Sequence, residues 1–253
     1  MFDKEERYWR SRLFFRPVTA LYFLILLLWM LFLLPMLLLL IGPLFVYGLG
    51  LSPELTISMF LLSLLGSCVN IPVKEVVSVR PIVTFRRASF FGVVWTVPEL
   101  GWSRQRTVIA VNVGGALVPM ALSLYLLLRV IPMSEINPLV TYAKVLIALA
   151  VVTLFVNRLA RPIEGLGIAT PGFIPPFITA MVALFLFRFY VPSNPCIITY
   201  ISGTMGTLLG ADLFNLDEIP RLGAPVVSIG GAGTFDGIYI TGVVSLLLVL
   251  LLL

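Results

Sequence analysis

Two aspartates stand inside apolar runs of this chain, Asp212 in GADLFNL and Asp236 in SIGGAGTFDGIYITG. An ionisable side chain at membrane depth is costly unless it is paired or wetted, so each is a candidate functional residue by position alone. The sequence contains no histidine. The commonest metal ligand and the usual general base are therefore missing, which excludes His-zinc proteases and Ser-His-Asp hydrolases. Chemistry is left to carboxylates, lysine, tyrosine, hydroxyls and two cysteines. Cys68 and Cys196 lack a CxxC spacing and fall at opposite membrane faces, so they read as small buried hydrophobes and not as a disulfide. No metal site and no cofactor is expected.

A pair of carboxyl groups can hydrolyse an amide when one is charged and activates water while the other is protonated and supports the carbonyl oxygen. Helix dipoles assign the charged role to Asp236, near a predicted helix N-terminus, and the acid role to Asp212, near a C-terminus. The same acids could instead bind a proton or small cation. A purely structural reading has Thr234 capping the last helix, with Asp236 in its first turn and Asp212 bonded to Asn215 or to backbone.

The elements that must position these groups are membrane helices. The chain is 60% hydrophobic and 11% charged with a mean hydropathy of +1.09, whereas a soluble domain carries about a quarter charged residues. Apolar runs fall near residues 19–42, 53–73, 108–131, 139–157, 172–190, 196–214 and 232–253, each near the ~20 residues needed to cross a ~30 Å hydrocarbon core. The expected architecture is an all-α integral membrane protein of about seven transmembrane helices, forming one polytopic domain over residues 1–253. Lys4, Arg7, Arg10, Arg12 and Arg16 precede the first run; Lys74, Arg80, Arg86, Arg87, Arg104 and Arg106 lie between the second and third; Arg158, Arg161 and Arg221 lie in later loops of the same side. Fourteen of the seventeen basic residues thus share one face, which the positive-inside rule makes cytoplasmic, with the N-terminus inside and the cell membrane as the location. Arg129, Lys144 and Arg188 lie near the other face, where long side chains snorkel.

The connection over residues 74–107 is the one sizeable polar region. VVSVRPIVTF and FFGVVWTV, parted by Arg86, Arg87, Ala88 and Ser89, predict a small cytoplasmic β-hairpin-like insertion between helices two and three. Its basic residues read as topology determinants facing anionic headgroups, the alternative being a functional nucleic-acid or lipid patch; no nucleic-acid partner is expected. CVNIPV and AVNVGGALVP, which flank this insertion, resemble one another faintly.

Depth follows from helix rise. Asp212 falls ~22 Å along a ~30 Å path from the outer side, and Asp236 about 6 Å in from the inner side. Asn70 and Asn112 fall about one turn from the inner ends of their spans. Pro175 and Pro176, at the inner start of the fifth span, can leave backbone carbonyls free. Gly203, Gly206 and Gly210 share a helical face, with Gly206 and Gly210 forming a GxxxG pair, while Gly230, Gly231 and Gly233 permit a turn that crowds a neighbour. The polar and irregular features converge on one inner layer.

GADLFNL followed by SIGGAGTFDGIYITG, together with NIPV, NVGGALVP and GIATPGFIPPF, resembles a prokaryotic multi-pass membrane family known as a domain of unknown function (DUF1614). The resemblance covers most of the chain from about Gly66 and implies no activity. A weaker resemblance of geometry links the two aspartates to presenilin-like and prepilin-type peptidases, although Asp236 follows Gly233 by three residues and no PAL segment occurs. The leading expectation is therefore an intramembrane aspartyl-type hydrolase with Asp212 and Asp236 as catalytic pair. Asn70, Asn112, Asn215, Thr234, Gly231, Gly233, Pro175 and Pro176 would support it, and the lipid bilayer and a membrane-embedded peptide would be its partners. The alternatives are a proton- or cation-coupled transporter using the same acids and a structural scaffold.

Overall fold

The computed structural model describes residues 28, 36, 39–91, 93–163, 167–231 and 237–253. Among these, seven apolar helices run in chain order: α1 (Leu39–Gly48), α2 (Pro53–Gly66), α3 (Val113–Ser134), α4 (Pro138–Leu159), α5 (Ile174–Leu186), α6 (Pro195–Leu222) and α7 (Gly237–Leu252). Helices α3, α4 and α6 are long and apolar enough to cross a membrane. The rest are shorter. Large side chains such as Leu124, Leu128, Leu146 and Leu154 point outward from α3 and α4, as expected where the surroundings are lipid.

Three helices begin with the same local signal. Ser52, Asn137 and Asn194 accept hydrogen bonds from the amides of Leu55, Val140 and Cys196 at 3.2, 3.3 and 2.9 Å, and a proline follows each directly. A capping side chain satisfies an orphan amide, and proline at the first helical position forfeits a bond that would not form there.

Two long strands, β1 (Asn70–Phe90) and β2 (Val93–Asn112), form an antiparallel hairpin between α2 and α3. The hairpin is longer than the sequence predicts. Its base absorbs residues expected to end the second span and begin the third, because β-branched apolar runs cannot be told from membrane helices by hydropathy alone. Arg86 and Arg87 lie within β1, and the turn falls beyond Phe90, at Phe91 with φ +50°. A short pair, β3 (Arg161–Ile163) and β4 (Gly167–Ala169), follows α4. A last strand, β5 (Val226–Ile229), pairs parallel with β2 at Val108–Val111. The chain between β2 and β5, which contains α3 to α6, is the crossover that a parallel pair requires.

Helix α6 is the hub, packed against α4, α5 and α7 and buried along most of its length. The main core gathers Leu122 and Leu126 from α3, Val145 from α4, Ile197 and Ile201 from α6 and Leu246 from α7. A second core, with Ile109, Leu208, Ile219, Val227 and Ile238, seats the sheet on the bundle. The hairpin end of the bundle is thus rigidly joined to the end of α6, where Asp212 lies.

Candidate functional site at the broken end of the central helix

Helix α6 loses its regular pitch at Leu208. A π turn spans Leu208–Asp212, a 3₁₀ stretch follows over Leu213–Glu218, and Asn215 has non-helical angles of φ −113° and ψ 16°. Wide turns of this kind release backbone carbonyls and recur at functional sites. Here two amides take up the released groups. Asn215 Nδ2 donates to Gly210 O at 3.0 Å and to Ala211 O at 2.9 Å, and Asn157 Nδ2 on α4 donates to Gly210 O at 3.1 Å. Asparagine 215 therefore serves the backbone beside the aspartate.

Glycine lets α4 come this close. A Cβ on Gly210 would sit 2.5 Å from Thr153 O, and one on Gly206 would sit 2.7 Å from Val152 Cγ1. The GxxxG pair faces α4, as small-residue contacts in membranes do. Gly203 faces the other way, toward Thr179 of α5 and Ser245 and Thr241 of α7. The three glycines consequently serve two contacts and not the single face expected from sequence.

Asp212 is buried, with 8% of its surface exposed. Two hydroxyls lie at the same end of the bundle. Thr153 of α4 and Thr207 of α6 are buried, and neither Oγ1 has a hydrogen-bond partner among the described residues. Such groups are uncommon in a folded interior and call for water or an ion. Thr207 stands one π turn before Asp212, and its Cγ2 would lie 3.8 Å from a Cβ on Gly237, the first residue of α7. Gly233, Thr234 and Asp236 lie outside the described residues.

The remaining predicted support residues do other work. Asn70 and Asn112 are not helical; they are the facing pair at the base of the hairpin. Asn112 Nδ2 donates to Ser67 O at 2.7 Å and to Asn70 Oδ1 at 3.1 Å, while Asn112 Oδ1 accepts from Gly115 N at 2.8 Å. Ser228 Oγ donates to Asn70 Oδ1 at 2.6 Å. The two amides clamp the end of α2, both strands, the start of α3 and β5 together. CVNIPV and AVNVGGALVP, faintly alike in sequence, supply the two facing asparagines of one strand pairing.

Glycines complete the clamp. Gly230 and Gly231 adopt φ of +82° and +89°, a region that glycine enters without penalty. A Cβ on Gly115 would lie 1.9 Å from Gly230 O, and one on Gly114 would lie 1.9 Å from Ser63 O. The paired glycines of NVGG and SIGG thus let backbone rest on backbone. Pro175 and Pro176 are buried in the first turn of α5, where Pro175 O accepts from Thr179 Oγ1 at 2.7 Å. That carbonyl is used by its own helix.

A second polar cluster, which residue type and spacing along the chain do not reveal, lies at the far end of the bundle. Lys144 does not snorkel: it is 3% exposed. Its Nζ donates to Phe187 O at 2.9 Å, to Ser193 Oγ at 3.1 Å and to Val191 O. Glu135 accepts from Thr141 Oγ1 at 3.0 Å and from Asn194 N at 3.1 Å. A lysine within an apolar run opposite the punctuated stretch VPSNP was the available signal. Among the described residues no three His, Cys, Asp or Glu side chains gather so as to hold a metal ion.

A family model described as "Protein of unknown function (DUF1614)" matches residues 64–248. No curated protein and no solved structure matches the chain.

Proposed function

The chain belongs to the DUF1614 family, whose description names no activity, and from the geometry of its central helix we propose that it is a multi-pass cell-membrane protein that binds a proton or small cation at Asp212 for transport. The observation that carries this reading is a buried carboxyl group on a helix broken within the bundle. The C-terminal end of a helix carries partial negative charge, which adds to that of a carboxylate and attracts cations. Membrane transporters place coupling ions at such interrupted helices. Thr153 and Thr207 offer neutral oxygens in a buried setting, while Asn157 and Asn215 hold the interrupted backbone in place. Protonation of Asp212, or its pairing with a cation, removes the cost of a bare charge at this depth.

Seven spans, with the N-terminus and the hairpin on the cytoplasmic side, belong to the same proposal and rest on the distribution of basic residues. A second reading, an aspartyl-type hydrolase of membrane-embedded peptides, is favoured by one observation. Helix α7 starts at Gly237 beside Thr207, one π turn before Asp212, and Asp236 is the residue that precedes Gly237 in the sequence.

Proteoliposomes decide between them. Wild type, Asp212→Asn and Asp236→Asn are compared for dissipation of an imposed pH or cation gradient and for cleavage of a transmembrane peptide. The proposal expects gradient dissipation to be lost in folded Asp212→Asn. Full dissipation by that variant would refute it, and peptide cleavage abolished by both substitutions would establish the hydrolase.

A further inference from the structure

Beyond the four residues that pair with β5, the hairpin extends from Val77 to Phe90 and back with no third strand beside it among the described residues. At ~3.3 Å per residue this arm reaches roughly 45 Å. A two-stranded hairpin is marginally stable in water by itself. Something should cover it.

Cross-strand partners share a face, so the register assigns the surface of the arm. One face carries the pairs Val83–Leu100 and Phe85–Pro98 at its centre. Val83, Phe85 and Leu100 are 58%, 70% and 78% exposed. The same face carries Arg104 and Arg106 toward the base and Arg87 toward the tip, all exposed. From Val77 outward it has no acidic residue. The opposite face is different, because there Arg86 lies 3.9 Å from Glu99 and its charge is partly balanced.

We propose that the face bearing Arg87, Arg104 and Arg106 lies against an anionic phospholipid surface, that of the bilayer holding the apolar helices. Exposed aromatic and aliphatic side chains among cations suit the headgroup boundary, where the apolar parts enter and the charges meet phosphates. The arm springs directly from α2 and α3, so the surface it needs is within reach without any encounter in solution.

The test places an environment-sensitive fluorophore on Ser89→Cys, which is exposed on this face, in full-length protein carrying Cys68→Ser and Cys196→Ala. The protein is placed in nanodiscs of zwitterionic lipid with or without phosphatidylglycerol. Blue-shifted emission and quenching by brominated acyl chains are expected in the anionic discs and should fall as salt is raised. Arg87→Gln with Arg104→Gln should shift the bound-to-free ratio of the arm about 30-fold, at ~1 kcal/mol per basic residue. Both side chains are exposed, so the fold should survive, as gel filtration would verify. Equal emission in neutral and anionic discs would overturn the proposal. So would energy transfer between labelled copies in detergent, which would mean a second copy covers the face, or an emission change produced by RNA without lipid.

Discussion

Replacing Asn112 separates a clamp from a simple helix cap. The side chain is fully buried and its three hydrogen bonds join α2, the hairpin and α3. Asn112→Ala leaves Ser67 O and Gly115 N without the Asn112 side chain, while Asn70 Oδ1 keeps its bond from Ser228. Two buried backbone groups losing partners at about 1–3 kcal/mol each gives ~4 kcal/mol. For a chain of this size that corresponds to a fall of roughly 8–16 °C in Tm. The decisive variant is Asn112→Asp. Aspartate is as good a cap as asparagine and would still accept from Gly115 N. It would also set an oxygen against Ser67 O and Asn70 Oδ1, where the amide now donates at 2.7 and 3.1 Å. Thermal unfolding of purified protein in detergent should therefore show Asn112→Asp to be no better than Asn112→Ala. Recovery of wild-type Tm by the aspartate would refute the clamp and leave only the cap.

Other substitutions probe the neighbouring contacts. Gly115→Ala should prevent accumulation of folded protein, seen as loss of the monodisperse gel-filtration peak, because its Cβ would overlap Gly230 O. Lys144→Met should lower stability by about 1–3 kcal/mol in the same unfolding assay, since it strips a donor from Phe187 O and Val191 O. It should leave gradient dissipation by the surviving folded protein intact, because the cluster is at the far end from Asp212.

Several features were legible in the residues themselves. Composition and run length identified apolar helices suited to a membrane, because hydrophobicity is a local property that needs no partner to be read. The Ser-Pro and Asn-Pro pairs at residues 52, 137 and 194 mark helix starts for an equally local reason. The strand character around residues 76–97 was visible in its β-branched and aromatic content. The ends of the hairpin were not, since Ile71 and Val108–Val111 are as apolar as a helix and only their pairing makes them strands.

Asn70 and Asn112 show the limit most plainly. Their depth along the chain suggested polar groups beside Asp212, and their hydrogen bonds instead consume them at the base of the sheet. Lys144 shows the converse, a residue placed near a face by helix rise and buried by the carbonyls that α5 presents to it. By itself the sequence determined which segments are apolar, where several helices begin and that a carboxyl group lies within the bundle, since each follows from residue type and spacing along one segment. Tertiary structure alone decided which glycines touch which backbone, which amides are spent as clamps and that α6 breaks at Asp212, since those depend on segments far apart in the chain meeting in space.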